Sequence, residues 1–407
     1  MLRSLYSGIS GLRQHQTLMD AVSNNIANVN TTGFKSSTVV FEDTLSQLLR
    51  APSSATAATG GTNPAQVGLG VGLAGIQTNF GQGSAQSTGR STDLMIQGDG
   101  FFVVRNGAQD QYTRAGAFSF DSNGTLVTPE GRVVQGWTAT NGVVDTNTPI
   151  GDVTLPAGTL LPPQASTSVT ASGNIAAGSA STITLGATAY DDAGVAHPLA
   201  IILTADPSLP GYQVTIDDKS TEDPNAPGTY LVTGTGTVAF NPDGTPLASS
   251  ASIQLTNSAA GPVTVDLSSV TNFGGPTSLA VTGTDGNTAG TLQQFQIGAD
   301  GSVLGLFSNG QKKVMAQIAL ANFNNPMGLE KMGETSFLAT TNSGLPQVGT
   351  AGSGGRGALL GGTLEMSNVD LAQEFTNLIV AQRGFQANSR VITTSDQMLQ
   401  DLVDLKR

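Results

Sequence analysis

The 407-residue chain has no cysteine, so no disulfide, thiol nucleophile or cysteine-bound metal is available to it. Histidine occurs only as His15 and as His197 before Pro198. Two isolated imidazoles suit neither a zinc site nor a Ser-His-Asp set. No apolar run reaches the roughly 18 residues of a membrane-spanning helix. A cleavable leader is also missing, because Ser4, Tyr6, Ser7, Gly8 and Ser10 interrupt the first residues and Arg13 follows. On these criteria alone the chain reads as cytoplasmic. Aromatics make up 5% and charged residues 11%. Gly70-Val71-Gly72-Leu73-Ala74-Gly75 meets the dinucleotide-binding spacing, but no strand pattern precedes it and no helical pattern follows. Asp191-Asp192 and Asp217-Asp218 lack EF-hand spacing and read as turn acids. No catalytic residue, metal or cofactor is expected, and the function is not enzymatic.

What the chain does have is periodicity at its ends. Leu371, Leu378, Phe385, Ile392 and Leu399 stand seven apart, with Phe375, Leu402 and Val403 alongside. This spacing predicts a helix over residues 367–405 that turns one narrow apolar seam to a partner. At ~1.5 Å per residue it extends for about 58 Å, too long to be buried across one small domain. Ser367 and Asp370 have the capping-box spacing, and Lys406 and Arg407 stand where a helix terminus favours cations. The second seam row is poor, with Gln382, Ser389 and Asp396, so close packing through small residues such as Ala381 and Ala387 is expected. An ordinary amphipathic helix is the alternative. Leu5, Leu12, Met19 and Ile26, with Leu2 and Ile9 interleaved, repeat the pattern in the first 30 residues. The two ends therefore read as partners.

Charge marks a third region. Residues 142–300 hold 13 acidic side chains against Lys219 alone, and the remainder is neutral with 16 of each sign. An acidic outer surface argues against nucleic acid or anionic lipid as a ligand. The 52 glycines, with abundant Ser, Thr and Ala, favour short strands and turns. Strand patterns recur at residues 100–105, 112–120 and 133–137, resume at 295–297, 303–307 and 314–323, and enclose the acidic stretch. The expected fold is multidomain α+β. Residues 1–30 and 364–407 form a coiled-coil-like inner domain; residues 31–75 and 346–363 are connectors, with a short helix at 39–49 and a flexible or extended chain after Pro52. Residues 76–145 and 286–345 form an inner β-domain, and residues 146–285 an inserted outer β-domain, both barrel- or sandwich-like.

Residues 21–35 set Asn24, Asn25 and Asn28 at a helix end before Thr31, Gly33, Phe34 and Lys35, where amides cap or bond between backbones. This stretch resembles the N-terminal signature of the bacterial flagellar rod, hook and hook-associated axial proteins. Residues 367–407 resemble their shared C-terminal helix, including Ala381-Gln382-Arg383-Gly384-Phe385-Gln386-Ala387-Asn388. Gln97-Gly98-Asp99-Gly100-Phe101-Phe102 and Tyr112-Thr113-Arg114-Ala115-Gly116 look like the β-domain of the rod and hook members. Together the matches span roughly half the chain; the acidic middle matches in position and composition only.

The resemblance implies a structural subunit that polymerises with copies of itself into a curved tube, a flexible joint with the terminal helices innermost and the inserted domain outermost. It also implies export by the flagellar type III apparatus without a cleaved leader, which overrides the cytoplasmic reading. Expected partners are rod, hook-cap and hook–filament junction proteins. The size of the insertion favours a hook-type subunit over a rod-type one. From a different class, a secreted adhesin or glycan-binding β-protein remains the alternative, although Tyr190, Tyr212, Tyr230, Phe240, Phe273 and Phe295 are too scattered for a sugar platform.

Overall fold

The computed structural model describes residues 2–54, 60–140, 142–156, 158–206, 211–222, 230–255 and 258–404. The chain forms two compact units, one of residues 1–156, 295–304 and 313–407, the other of residues 157–294 and 305–312. The inserted unit thus starts and closes later than 146–285. Gly151 and Asp152 pair with Gly136 and Gln135 and so belong to the first unit, while Gly290 and Thr291 pair with Leu161 and Leu160 and belong to the second.

In the first unit, helix α1 covers Leu2–Ala27 and helix α2 covers Leu371–Asp404. α2 begins later than the expected Ser367. Asp370 is the residue that caps it, its Oδ1 accepting from the backbone N–H of Ala372 at 2.9 Å and of Gln373 at 3.2 Å. Leu405, Lys406 and Arg407 lie outside the described residues.

The short helix expected at 39–49 is instead two strands. Ser37–Asp43 pairs antiparallel with Val71–Thr78, and Ser46–Arg50 pairs with Ala65–Gly68. Thr38, Val39 and Val40 are β-branched and their burial alternates, which suits a pleated surface better than a helix. This region is therefore a pair of ladders rather than a loose connector; residues 55–59 lie outside the described residues.

The β part of this unit is built around the strand Phe101–Asn106. It turns through Gly107 into Gln109–Thr113, and it also pairs with Val133–Thr140 and Leu320–Asn322. Ser336–Leu338 adds to the far side of Gln109–Thr113. Two short ladders bring in the segment before α2: Ala358–Gly361 on Leu94–Gln97, and Thr363–Glu365 on Ala85–Ser87. Phe101, Val103, Tyr112, Phe323 and Phe337 form an apolar core, with Phe101 edge-on to Phe323 at 5.8 Å. Trp137 is buried, and its indole N–H donates to the Thr148 carbonyl at 2.8 Å.

The second unit has two four-stranded sheets. Ile183–Tyr190, Ala196–Asp206, Gly211–Glu222 and Tyr230–Ala239 follow one another as antiparallel neighbours. The other sheet orders Ser252–Gln254, Thr264–Thr271, Ser168–Asn174 and Ala280–Thr284, with its two middle strands parallel. Inward positions carry Val169, Leu199, Ile201, Leu203, Val214, Ile216, Val265 and Leu267, all buried in one core.

Candidate assembly interface

α1 and α2 pack against each other, antiparallel. Ser4 meets Ser395 with hydroxyls 3.4 Å apart, Gly8 lies against Ile392, Gly11 against Asn388, His15 against Gly384, and Asn25 bonds Glu374 at 3.1 Å. Residue numbers rise on one helix as they fall on the other. The closest approach is made by small residues rather than by the heptad seam. A Cβ on Gly11 would lie 2.7 Å from the Asn388 amide, and one on Gly384 would overlap the His15 imidazole. Gly8, Gly11, Val22, Ala381 and Ser395 are buried along this ridge.

The heptad side chains flank it. Leu5, Leu12, Met19, Ile26, Leu378, Ile392 and Leu399 are partly buried, whereas Ile9, Leu371, Phe375 and Phe385 are exposed; the Leu402 side chain lies outside the described residues. Together with Ile379, Val380, Val391, Met398 and Val403, the open side chains of α2 are 36–67% exposed. So many large apolar groups on one helix form a surface suited to further contacts. Gln382 and Arg383 are exposed on α2, and Asn388 reaches back to the Gly384 carbonyl at 3.0 Å.

Below the helices, the asparagine signature works as a joint. The Asn25 amide donates to the Ser37 carbonyl at 2.9 Å and accepts from the Ser37 N–H at 3.0 Å. Asn28 donates to the Asn24 carbonyl and side-chain oxygen, both at 2.9 Å, and accepts from the Thr31 hydroxyl at 3.0 Å. Gly33 takes φ +68°, and a Cβ there would stand 2.5 Å from the Ala115 nitrogen, so only glycine lets the chain pass. Its N–H donates to the Glu365 carbonyl at 2.8 Å.

Lys35 then enters a buried ion cluster. Its Nζ lies 2.5 Å from Glu365 Oε1 and 2.9 Å from the Gly81 carbonyl, with both charged side chains fully buried. Glu365 also accepts from the Gly83 N–H at 2.9 Å and faces Arg114 at 3.5 Å. Burial pushes the Lys35 amine below its ordinary range although Glu365 pulls it up, and it lowers Arg114 against the pull of Glu365 and Asp99. Lys331 bonds the Lys35 carbonyl at 3.2 Å, stands 5.4 Å over the Phe34 ring, and is likewise lowered by burial. Asn24, Asn28, Thr31, Gly33, Phe34 and Lys35 share a cavity of 310 Å³ with Lys331 and the turn at Glu334 and Thr335. Gly98, Asp99, Gly100, Phe101 and Phe102 sit beside this cluster. Gly98 and Gly100 have positive φ, the Asp99 carbonyl accepts from Gly357 N–H at 2.6 Å, Phe101 and Phe102 are buried, and the Arg114 guanidinium lies 5.3 Å over Phe101.

One juxtaposition was invisible in the sequence. His197 Nδ1 lies 2.9 Å from Ser220 Oγ and its Nε2 3.3 Å from Asp191 Oδ2. The set is not a nucleophile, because the Ser220 hydroxyl donates to Asp218, a buried carboxylate that also accepts from Ser258 and Ala259. Tyr212 and Phe240 are buried in the core rather than displayed, which removes two members of any sugar platform. Among the described residues no three His, Asp or Glu side chains gather to hold a metal, and no helix is long and apolar enough to cross a membrane.

Three family models match the chain: the flagella basal body rod protein over residues 5–35, the D1 domain of the flagellar hook protein FlgE/F/G over 95–177, and the C-terminal part of the flagellar basal body rod FlgEFG protein over 360–405. The flagellar hook protein FlgE of Borreliella burgdorferi is 39% identical over 444 residues, covering all of both chains. The flagellar basal-body rod protein FlgG of Bacillus subtilis is 34% identical over 408 residues, again covering all of both. The crystal structure of the Helicobacter pylori flagellar hook protein FlgE2 matches with TM-score 0.51 at 15% identity, over 67% of this chain and 98% of that one, a likeness of fold. With both ends, the intervening β-domain and the full length matched, the chain belongs to the flagellar hook protein family.

Proposed function

We propose that the chain is the structural subunit of a bacterial flagellar hook, a self-assembling tube outside the cell that couples motor rotation to the filament. The observation that carries this reading is the pair of packed terminal helices with apolar side chains of α2 left open at 36–67%. Leu5, Ile9, Leu12, Met19, Ile26, Leu371, Phe375, Leu378, Phe385, Ile392, Leu399 and Leu402 supply the contacts between copies. Stacked copies cover the open faces in a coiled-coil-like inner tube, and a head-to-tail contact that does not close on itself yields an open helical polymer. The inserted unit carries most of the chain's excess of acidic residues, and like-charged neighbours suit sliding as a curved tube turns. Rod, hook-cap and junction proteins are its partners at the tube ends, and the flagellar export apparatus delivers it.

Phe385→Ala tests the reading. Loss of a phenylalanine from a packed site costs about 3–5 kcal/mol, whereas in the single chain the ring is 36% exposed. The variant is expected to keep the wild-type helical signal while negative-stain microscopy shows no tubes; normal tube formation would refute it. A rod-type subunit is the second reading, favoured by the full-length match to the Bacillus subtilis rod protein. Straight rather than curved tubes would select it.

A further inference from the structure

Besides its contacts with the N-terminal end, the segment ahead of α2 has a set of partners of its own. Thr363–Glu365 forms a ladder with Ala85–Ser87, Met366 N–H donates to Ser84 at 2.9 Å, Gly83 N–H donates to the Glu365 carboxylate at 2.9 Å, and Thr88 N–H donates to Gly362 at 2.8 Å. Residues 31–36 are seated largely on that segment in turn. Gly33 N–H donates to the Glu365 carbonyl, Lys35 to the Glu365 carboxylate, and Ser36 N–H to the Asn368 side chain at 2.8 Å; Gly81, Asn79 and Lys331 add further bonds, and Asn28 holds Thr31.

Charge makes the dependence one-sided. Glu365 arriving alone meets the Arg114 guanidinium and the Gly83 N–H, so its carboxylate enters the interior already partnered. Lys35 arriving alone would be buried against the like charge of Arg114, and among the described residues Glu365 is the carboxylate that its amine pairs with. A buried ammonium without its counter-ion is strongly disfavoured. We propose that the two ends of the chain seat in a fixed order, residues 363–366 first and residues 31–36 second, with Glu365 as the surface that the second arrival requires. The bases of α1 and α2 are thereby joined only after the C-terminal side is home.

Hydrogen exchange read by mass spectrometry on the full-length chain tests the order, with peptides from the core strand Phe101–Asn106 as internal reference. In the wild type both segments are protected; finding neither protected would overturn the proposal. Lys35→Met is expected to speed exchange in 31–36 by at least about tenfold while 363–366 stays at its wild-type rate. Glu365→Gln is expected to release 31–36 at least as far. The proposal fails if Lys35→Met frees both segments equally, or if Glu365→Gln leaves 31–36 protected. Should Glu365→Gln also expose the reference strand, Gly33→Ala decides, since it keeps every charge and sets the new Cβ of residue 33 against the Arg114–Ala115 backbone rather than against 363–366. Release of 31–36 with 363–366 retained supports the order, and joint release overturns it.

Discussion

The unit of residues 157–294 and 305–312 is held by one largely aliphatic core between a sheet of hairpins that follow one another along the chain, such as Ile183–Tyr190 on Ala196–Asp206, and a second sheet that joins Ser168–Asn174 to the distant Thr264–Thr271. The unit carrying both chain ends closes instead through an ion pair whose members stand 330 positions apart, and through ladders such as Thr363–Glu365 on Ala85–Ser87. Local pairings form without a long loop-closure cost, whereas distant ones must wait for it. The inserted unit therefore has one sheet of local pairings on which its distant strands can close, whereas the other unit depends on bringing its ends home. This division lets the two units be stabilised separately.

The sharpest way to break the comparison is to cut each core in turn. Leu203→Ala and Phe101→Ala both empty fully or almost fully buried sites and are expected to cost about 2–5 and 3–5 kcal/mol. Calorimetry should show Leu203→Ala lowering one transition and Phe101→Ala the other; a single transition that shifts equally for both would erase the distinction. A smaller effect is expected from Gly11→Leu, whose side chain must displace the Asn388 amide. Overpacking of this kind costs about 1–3 kcal/mol and should speed amide exchange in α2 while peptides of the inserted unit stay unchanged.

The gentlest probe is acid. In the inserted unit the Val195 N–H holds Asp191 below the carboxylate range, and the Thr245 hydroxyl does the same for Asp243. Burial pushes Asp218 and Asp285 up, but hydrogen bonds from Ser220 and Ala259, and from Thr167 and Ser168, outweigh it and leave both lowered. Asp217 alone of this group is raised, by burial. A lowered folded-state value stabilises fully above the unfolded value of about 4 and is lost as pH falls through the folded one. The unfolding midpoint of this unit should thus drop between about pH 5 and 3, with a shallower slope in Asp218→Asn; an unchanged slope in that variant would remove Asp218 from the account.

Much of the architecture was legible because it is periodic or local. The heptads marked both helices, and the patterns at residues 100–105, 133–137 and 303–307 marked strands that the chain makes. What escaped reading depends on partners distant in sequence. The leucine seam drew attention away from Gly8, Gly11 and Gly384, which become the contact ridge only when two helices run antiparallel. Residues 39–49 carry helix-compatible spacing, but pairing with Val71–Thr78 and Ala65–Gly68 overrides it. Lys35 was read as part of a signature, yet nothing near it announces Glu365. His197 was set aside as isolated, and adjacent strands bring Asp191 and Ser220 to it.

The single tryptophan has a practical consequence. Trp137 is the chain's one indole, shielded from water and hydrogen-bonded to Thr148 in the unit that holds both termini. Its emission is a built-in optical gauge of that unit, silent about the inserted one, so release of the chain ends can be told from melting of the sheet beneath them without attaching a dye.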